Sequence, residues 1–195
     1  MEERNNLFPV FLKLEELDTL IVGGGNVGLE KLNAILKSSP RARITVVASA
    51  IKEEIRQLAQ ASRYIRLVER DFRVRDLQSK DVVVLATDDP VLHARIRTLA
   101  RKRRLLVNVA DTPDLCDFYL GSIVTKGNLK IGISTNGKSP TIAKRMREYL
   151  EEAIPENTDD LLSNMQAIRD RIKGDLAAKV KMLNDLTSSW LKKGE

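Results

Sequence analysis

The sequence predicts an α/β protein: a Rossmann-like domain built on a parallel sheet, then a small α+β unit, then a C-terminal helical tail. Three observations predict it. An apolar run, Thr19 to Val22, enters a glycine cluster and leaves it as an amphipathic segment, which is the order strand, turn, helix. Further apolar and β-branched runs follow at 43–48, 64–68, 81–86 and 105–109 with helical stretches between them, the alternation a parallel sheet requires. Past Pro113 the alternation stops, and two strand-like runs meet at Gly127-Asn128, a hairpin signal.

The chain opens with Phe8-Pro-Val-Phe-Leu-Lys-Leu14, expected as an edge strand or as a lead-in packed on the sheet, because its early proline suits neither a central strand nor a helix interior. Next, Gly23, Gly25 and Gly28 make the G-x-G-x-x-G spacing, with Gly24 between the first two. The first glycine allows a tight turn, the second lets a pyrophosphate approach the backbone, and the third lets helix and strand pack closely. Phosphates would then lie at the positive end of the helix that follows, where Leu29, Leu32 and Leu36 repeat at helical spacing. An ordinary NAD fold places Asp or Glu about 20 residues further on, to bind the ribose hydroxyls. Here that place holds Ala48, Ser49 and Ala50, so residue chemistry alone does not choose between NAD and NADP, although Ser49 can still hydrogen-bond a ribose.

Residues 51–61 read as a helix. Thr87-Asp-Asp-Pro90 then turns the chain into a helix over 91–102, with Asp89 as N-cap and Pro90 at the first helical position. The loop leaves a parallel strand at its carboxyl end, where ligands of such sheets bind, which makes Thr87 a candidate cofactor contact. His93 is expected to be solvated or capping. Asp111 follows the next strand at the same edge. A carboxylate there could accept a proton as a hydride departs, and capping of the Thr112-Pro113 turn is an equal alternative. Cys116 has no histidine paired with it in sequence and reads as a small core residue.

In the hairpin region the strands are expected over 117–126 and 129–134. Ser139 is placed to cap, and Pro140 to begin, a helix running to Ala153 whose Ile142, Met146, Leu150 and Ala153 face a core. Lys138, Lys144, Arg145 and Arg147 surround its start, an arrangement suited to an anion, with a solvated basic face given equal weight. Thr158-Asp-Asp caps a further helix carrying Leu161, Met165, Ile168 and Ile172. Gly174-Asp175 interrupts it, and Leu176, Val180, Leu183, Leu186 and Trp190 continue the stripe, which needs a partner surface. The expected domains are 1–113, 114–153 and 154–195.

Composition narrows the function. A net charge of +6 calls for an acidic partner. The run Arg101-Lys-Arg-Arg104 closes a helix, where the macrodipole accounts for cations, so nucleic acid is not the expected partner. No apolar run approaches the ~20 residues of a membrane span, and the polar start lacks the core of a signal peptide. A soluble, cytoplasmic protein away from membranes is expected. One cysteine excludes an intrachain disulfide, and with only one histidine beside it no metal-ligand set is assigned.

Several motifs, in this order and spacing, are those of one family: Pro9-Val-Phe-Leu, Val22-Gly-Gly-Gly-Asn-Val27 with Lys31, Ala86-Thr-Asp-Asp89, Asn108-Val-Ala-Asp111 with Pro113, and Ser134-Thr-Asn-Gly-Lys-Ser-Pro140. The chain resembles the precorrin-2 dehydrogenases, a family that includes bifunctional ferrochelatases and the N-terminal half of multifunctional sirohaem synthases. The resemblance implies NAD-dependent dehydrogenation of precorrin-2 to sirohydrochlorin by a homodimer, with a tetrapyrrole in a cleft between lobes and an intertwined dimerisation unit after about Pro113. It makes Asp111 the catalytic residue and matches Asn26, Val27, Ser49 and Ala50 to cofactor-contacting positions. The missing ribose carboxylate is then a family trait. Lys138, Ser139, Lys144 and Arg145 become candidates for the substrate's carboxylates, which would account for the positive charge. Ferrous iron as a further substrate, inserted by a ferrochelatase activity, is left open. Gly28 stands where the family often has alanine, a difference expected to be neutral for binding. No methyltransferase follows, so the preceding methylation is expected to need a separate enzyme. Two readings from other classes compete: a non-catalytic NAD-sensing module, and a nucleic-acid binder using Arg101 to Arg104, which would show a steep salt dependence.

Overall fold

The computed structural model describes residues 4–171 together with 180, 181, 184 and 185. These divide into two compact units, Met1–Gly121 with Ser134–Ser139, and Ser122–Ile133 with Pro140–Glu195.

In the first unit β1 (Asp18–Val22), α1 (Asn26–Ser38), β2 (Arg43–Ala48), α2 (Glu53–Ala61), β3 (Ile65–Glu69), β4 (Val82–Leu85), α3 (Pro90–Lys102) and β5 (Leu106–Val109) alternate along the chain. The strands form one sheet in the order β3-β2-β1-β4-β5, every neighbouring pair parallel. This is the doubly wound arrangement of a Rossmann-like domain. Both faces are covered, and the pleat sorts the side chains between them. Ile21, Ile44, Val46 and Val84 pack under α1 and α2 with Leu32, Ile35 and Ile55. Leu20, Val22, Val83, Leu85, Val107 and Val109 pack under α3 with Ile96 and Ala100. Central strands buried on two sides explain why they read as continuous apolar runs. Single-turn 3₁₀ segments at Val74–Leu77 and Pro113–Leu115 complete the unit, neither of which carries a period long enough to be read from sequence.

Two expectations fail in this unit. Residues 8–13 form no strand, and Phe8 and Phe11 are 87% and 69% exposed; Leu14 is the point at which the segment packs on the core and accepts the Arg43 N–H. Asp18 and Arg43 open β1 and β2, and with β2 and β4 paired to it β1 has no free edge for the lead-in to join. His93 is not solvated but 5% exposed, inside α3's inner face. The cap on that helix is as expected: Asp89 Oδ1 accepts the Val91 and Leu92 N–H groups, each at 2.9 Å.

The second unit holds an antiparallel hairpin, β6 (Ser122–Lys126) and β7 (Leu129–Ile133), with α4 (Pro140–Ala153) against both strands and α5 (Thr158–Arg171). The hairpin turns at Gly127, whose φ of 53° suits glycine. Asp159, in the first turn of α5, accepts the Asn128 N–H and side-chain amide at 2.8 and 2.7 Å, so the helix start braces the turn. Thr158 is buried and donates to the Pro155 carbonyl. The core face of α4 is not the expected one. Ile142 and Met146 are 55% and 45% exposed and Ala153 is exposed, while Ala143 is buried and Arg147, Leu150 and Ile154 are half-buried. Ala143 is the buried residue of the helix, and Ile142, Met146 and Tyr149 are left as an exposed apolar stripe. Of the tail, Met165 is half-buried and Val180 is 47% exposed; Ile172, Gly174-Asp175, Leu176, Leu183, Leu186, Trp190 and the side chains of Leu161 and Ile168 lie outside the described residues. No helix among the described residues is long and apolar enough to cross a membrane.

Candidate functional site

The carboxyl ends of β1, β2, β4 and β5 lie along one edge of the sheet and deliver to it the glycine turn, Ser49-Ala50, Thr87 and Asp111, respectively. Each glycine of the turn has a separate physical reason. Gly23 has φ 124°, a Cβ on it would run into the Ala86 carbonyl, and its N–H is tied to the Val47 carbonyl. A Cβ on Gly24 would strike the Ala50 carbonyl, and one on Gly28 the Gly23 carbonyl. An alanine at Gly28 would force the turn to shift. Gly25 differs from all three. Its backbone is extended, it is exposed, and a Cβ there would meet nothing within 4 Å.

That open space lies at the start of α1, a helix with no side-chain N-cap and no acidic residue in its first turn. Its first N–H groups, from Asn26 and Val27 onward, are left for an anion, and the dipole favours one. A dinucleotide pyrophosphate fits these residues, with Gly25 leaving the room that a side chain would fill. Ser49 and Ala50 are exposed beyond β2 with no charge of their own. Lys52, which sequence reasoning passed over, sends its Nζ to Asn26 Oδ1 at 2.8 Å. A lone lysine at a helix start carries no signal that finds it; the contact arises only when the β2–α2 turn folds onto the glycine turn.

Thr87 follows β4, its backbone nitrogen close beside Gly23. Its hydroxyl is 2.9 Å from His93 Nε2, so the buried imidazole holds the threonine rather than meeting solvent. Burial pushes the His93 pKa below its ordinary 6.5, with the Asp89 and Asp88 carboxylates opposing. The unfolded chain then binds the His93 proton more readily than the folded one, and protonation favours unfolding as pH falls through the unfolded value. The melting temperature of the parent should fall with pH below 6.5 more steeply than that of His93→Gln, which keeps a hydrogen-bonding amide but does not titrate. Parallel melting curves from about pH 5 to 7 would sink this assignment.

Asp111 leaves β5 with φ 55°, a left-handed backbone that aspartate and asparagine tolerate best among residues with a Cβ. Its carboxylate is exposed and has no hydrogen-bond partner among the described residues. The turn that Asp111 was equally expected to cap is closed without it, by Thr112 Oγ1 on the Ala110 carbonyl at 3.3 Å and by the Leu115 N–H on the Thr112 carbonyl at 3.1 Å. Behind it the loop is clamped. Arg97 reaches both Asp117 oxygens at 2.9 and 2.6 Å, Asp117 Oδ2 also takes the Val107 N–H, and buried Asn108 donates to the Phe118 carbonyl at 2.9 Å. Cys116 packs with this core, its Sγ at 3.2 Å from both the nitrogen and the carbonyl oxygen of Val109, and burial pushes its thiol pKa up, which suits a structural residue and not a nucleophile.

The cationic segment divides between the units. Lys138 and Ser139 belong to the first, where Thr135 Oγ1 and the Ser139 backbone bond each other at 3.2 Å; Lys144 and Arg145 belong to the second, exposed, both facing Glu148 at 3.8 and 3.1 Å. Arg147 turns to Glu151 at 2.7 Å.

Parallel sheet, glycine turn and uncapped helix start together define a dinucleotide-binding protein of the NAD(P) class. The chain belongs to the family described as putative NAD(P)-binding, whose model matches residues 10–122, and a second model, sirohaem biosynthesis protein central, matches residues 126–153. It is 38% identical over 185 residues to a siroheme synthase of Psychrobacter cryohalolentis, covering 95% of this chain and 34% of that one. It is 36% identical over 165 residues to a siroheme synthase of Methylococcus capsulatus, covering 85% and 34%. The chain thus spans about a third of the length of the curated relatives it matches. Among solved structures, a chain titled SirC, precorrin-2 dehydrogenase, superposes with a TM-score of 0.74 at 25% identity, over 92% of this chain and 89% of that one. The family resemblance carried by the motifs is borne out.

Proposed function

We propose that the chain oxidises precorrin-2 to sirohydrochlorin with NAD as the electron acceptor, in sirohaem biosynthesis. The observation that carries this reading is Asp111: a carboxylate held by a clamped loop, open to solvent and unpaired among the described residues, at the sheet edge that also bears the phosphate turn. The likeness to SirC supports the substrate. Bound NAD would supply the hydride acceptor. The glycine turn and the first N–H groups of α1 hold the pyrophosphate, and Thr87, fixed by His93, lines the crevice. Asp111 takes the proton that the macrocycle loses, and its exposure lets that proton pass on to water. Lys138, Lys144 and Arg145, with Ser139, supply charge and donors for the substrate's carboxylates. Insertion of ferrous iron into the product would release pyrrole protons, and the same carboxylate is suited to accept them.

The reading includes a cytoplasmic homodimer. The stripe of Ile142, Met146 and Tyr149, exposed at one-turn spacing, supports a second copy as its cover. Met146→Glu should shift the protein to a monomer in sedimentation velocity, and an unchanged dimer would move the interface elsewhere. The function itself is tested by incubating the purified protein with precorrin-2 and NAD, with and without ferrous iron, and following sirohydrochlorin and NADH. NAD binding without any turnover would leave the sensing module as the reading.

A further inference from the structure

The turn after β2 carries a cation that no step above uses. Lys52 stands just before α2, and its backbone N–H donates to the Gly24 carbonyl at 3.0 Å, which ties this turn to the glycine turn. Its ammonium donates to Asn26 Oδ1 at 2.8 Å. Asn26 is the first residue of α1 and follows exposed Gly25, so the charge is held at the mouth of the space that a phosphate would enter. In the ordinary arrangement a carboxylate after β2 takes the ribose hydroxyls and repels a phosphate carried there. This chain reverses the pattern: Ala48, Ser49 and Ala50 are neutral, and the first charged side chain after β2 is Lys52. The other charges nearby are accounted for. Glu54 lies 3.1 Å from the Lys52 ammonium, Glu53 is exposed, and Arg56 is drawn off to Glu69 at 2.5 Å. Lys52 therefore has both a side-chain anchor that aims it and an acidic neighbour that an incoming phosphate would displace.

We propose that Lys52, aimed by Asn26, reads a phosphate of the bound adenine dinucleotide. The proposal rests on the NAD-binding reading given above. The phosphate has two sources, the pyrophosphate common to both nucleotides and the 2′-phosphate of NADP, and the ligands of the test separate them.

The test titrates the parent, Lys52→Gln and Lys52→Arg with adenosine, ADP, NAD and NADP, with a thermal melt of each. Gln keeps a donor for Asn26 and removes the charge. The Gln variant should bind NADP about tenfold more weakly, adenosine as before, and the Arg variant should recover most of the loss, as expected for a charge-assisted hydrogen bond. Equal losses for ADP, NAD and NADP assign Lys52 to the pyrophosphate, whereas a loss confined to NADP assigns it to the 2′-phosphate. Gln-variant affinities for ADP and NADP within twofold of the parent would overturn the proposal. So would a loss that adenosine shares, since Lys52 would then merely support the turn. Binding by the parent with no effect in the variants removes Lys52 alone; a parent that binds none of the four ligands removes the NAD reading too.

Discussion

Asp111→Asn is expected to lower the turnover of precorrin-2 by about 10²–10⁴-fold, the range that positioned proton transfer contributes. Affinity for NAD and melting temperature should stay at the parent's values. Asn is the informative replacement because φ at this position is 55°, and asparagine accepts that backbone about as well as aspartate, whereas alanine would add strain of its own. The replacement keeps the shape of the side chain and takes away its charge and its capacity to bind a proton. Since Thr112 Oγ1 and the Leu115 N–H close the turn without the carboxylate, no structural loss should mask the chemical one. Single-turnover oxidation within about threefold of the parent would be too small for a base and would end the assignment.

Gly25→Val is expected to cost at least about 100-fold in NAD affinity, ~2.7 kcal/mol, while the protein still folds. The four glycines of the segment are not equivalent. Side chains at Gly23, Gly24 and Gly28 would collide with backbone carbonyls, so replacing them would damage the turn and confuse loss of binding with loss of structure. At Gly25 the backbone is extended and the Cβ has open space, so the new side chain fills only the room a pyrophosphate would need. Calorimetric titration decides it. A variant that binds NAD as the parent does would show that phosphates do not lie on this turn.

The sheet was legible because its strands are buried on both faces, and burial writes itself into unbroken apolar runs; β2 occupies the same residues, 43–48, that its sequence marks out. The glycine turn and the Asp89 cap were legible for a different reason, since each depends on backbone geometry that few residue types supply. What escaped was anything decided by approach between distant segments. Lys52 and Asn26 are separated by 26 positions, and neither is marked by period or composition. The same holds for the Arg97 and Asp117 clamp behind Asp111. His93 was misplaced because the inner face of α3 admits a polar ring only where Thr87 stands ready to bond it. In α4 apolar side chains lie on more than one face, and the face that carries Ala143 and Leu150 is the more buried one.

The order of the strands bears on how the chain is made. β1 lies at the centre of the sheet, flanked by β2 on one side and β4 on the other. As the polypeptide emerges from the ribosome, β1, α1 and β2 are available together and can form a βαβ unit at once. The second edge of β1 must wait until Val82 to Leu85 has been synthesised, and β4 in turn waits for β5. During that interval Leu20 and Val22, fully or nearly fully covered in the finished sheet, have no α3 above them, and the edge of β1 presents unpaired backbone groups to any passing strand. The half-made chain is thus at its most aggregation-prone between the completion of β2 and the arrival of β4. Slow translation through that stretch would lengthen the exposure that a chaperone has to cover.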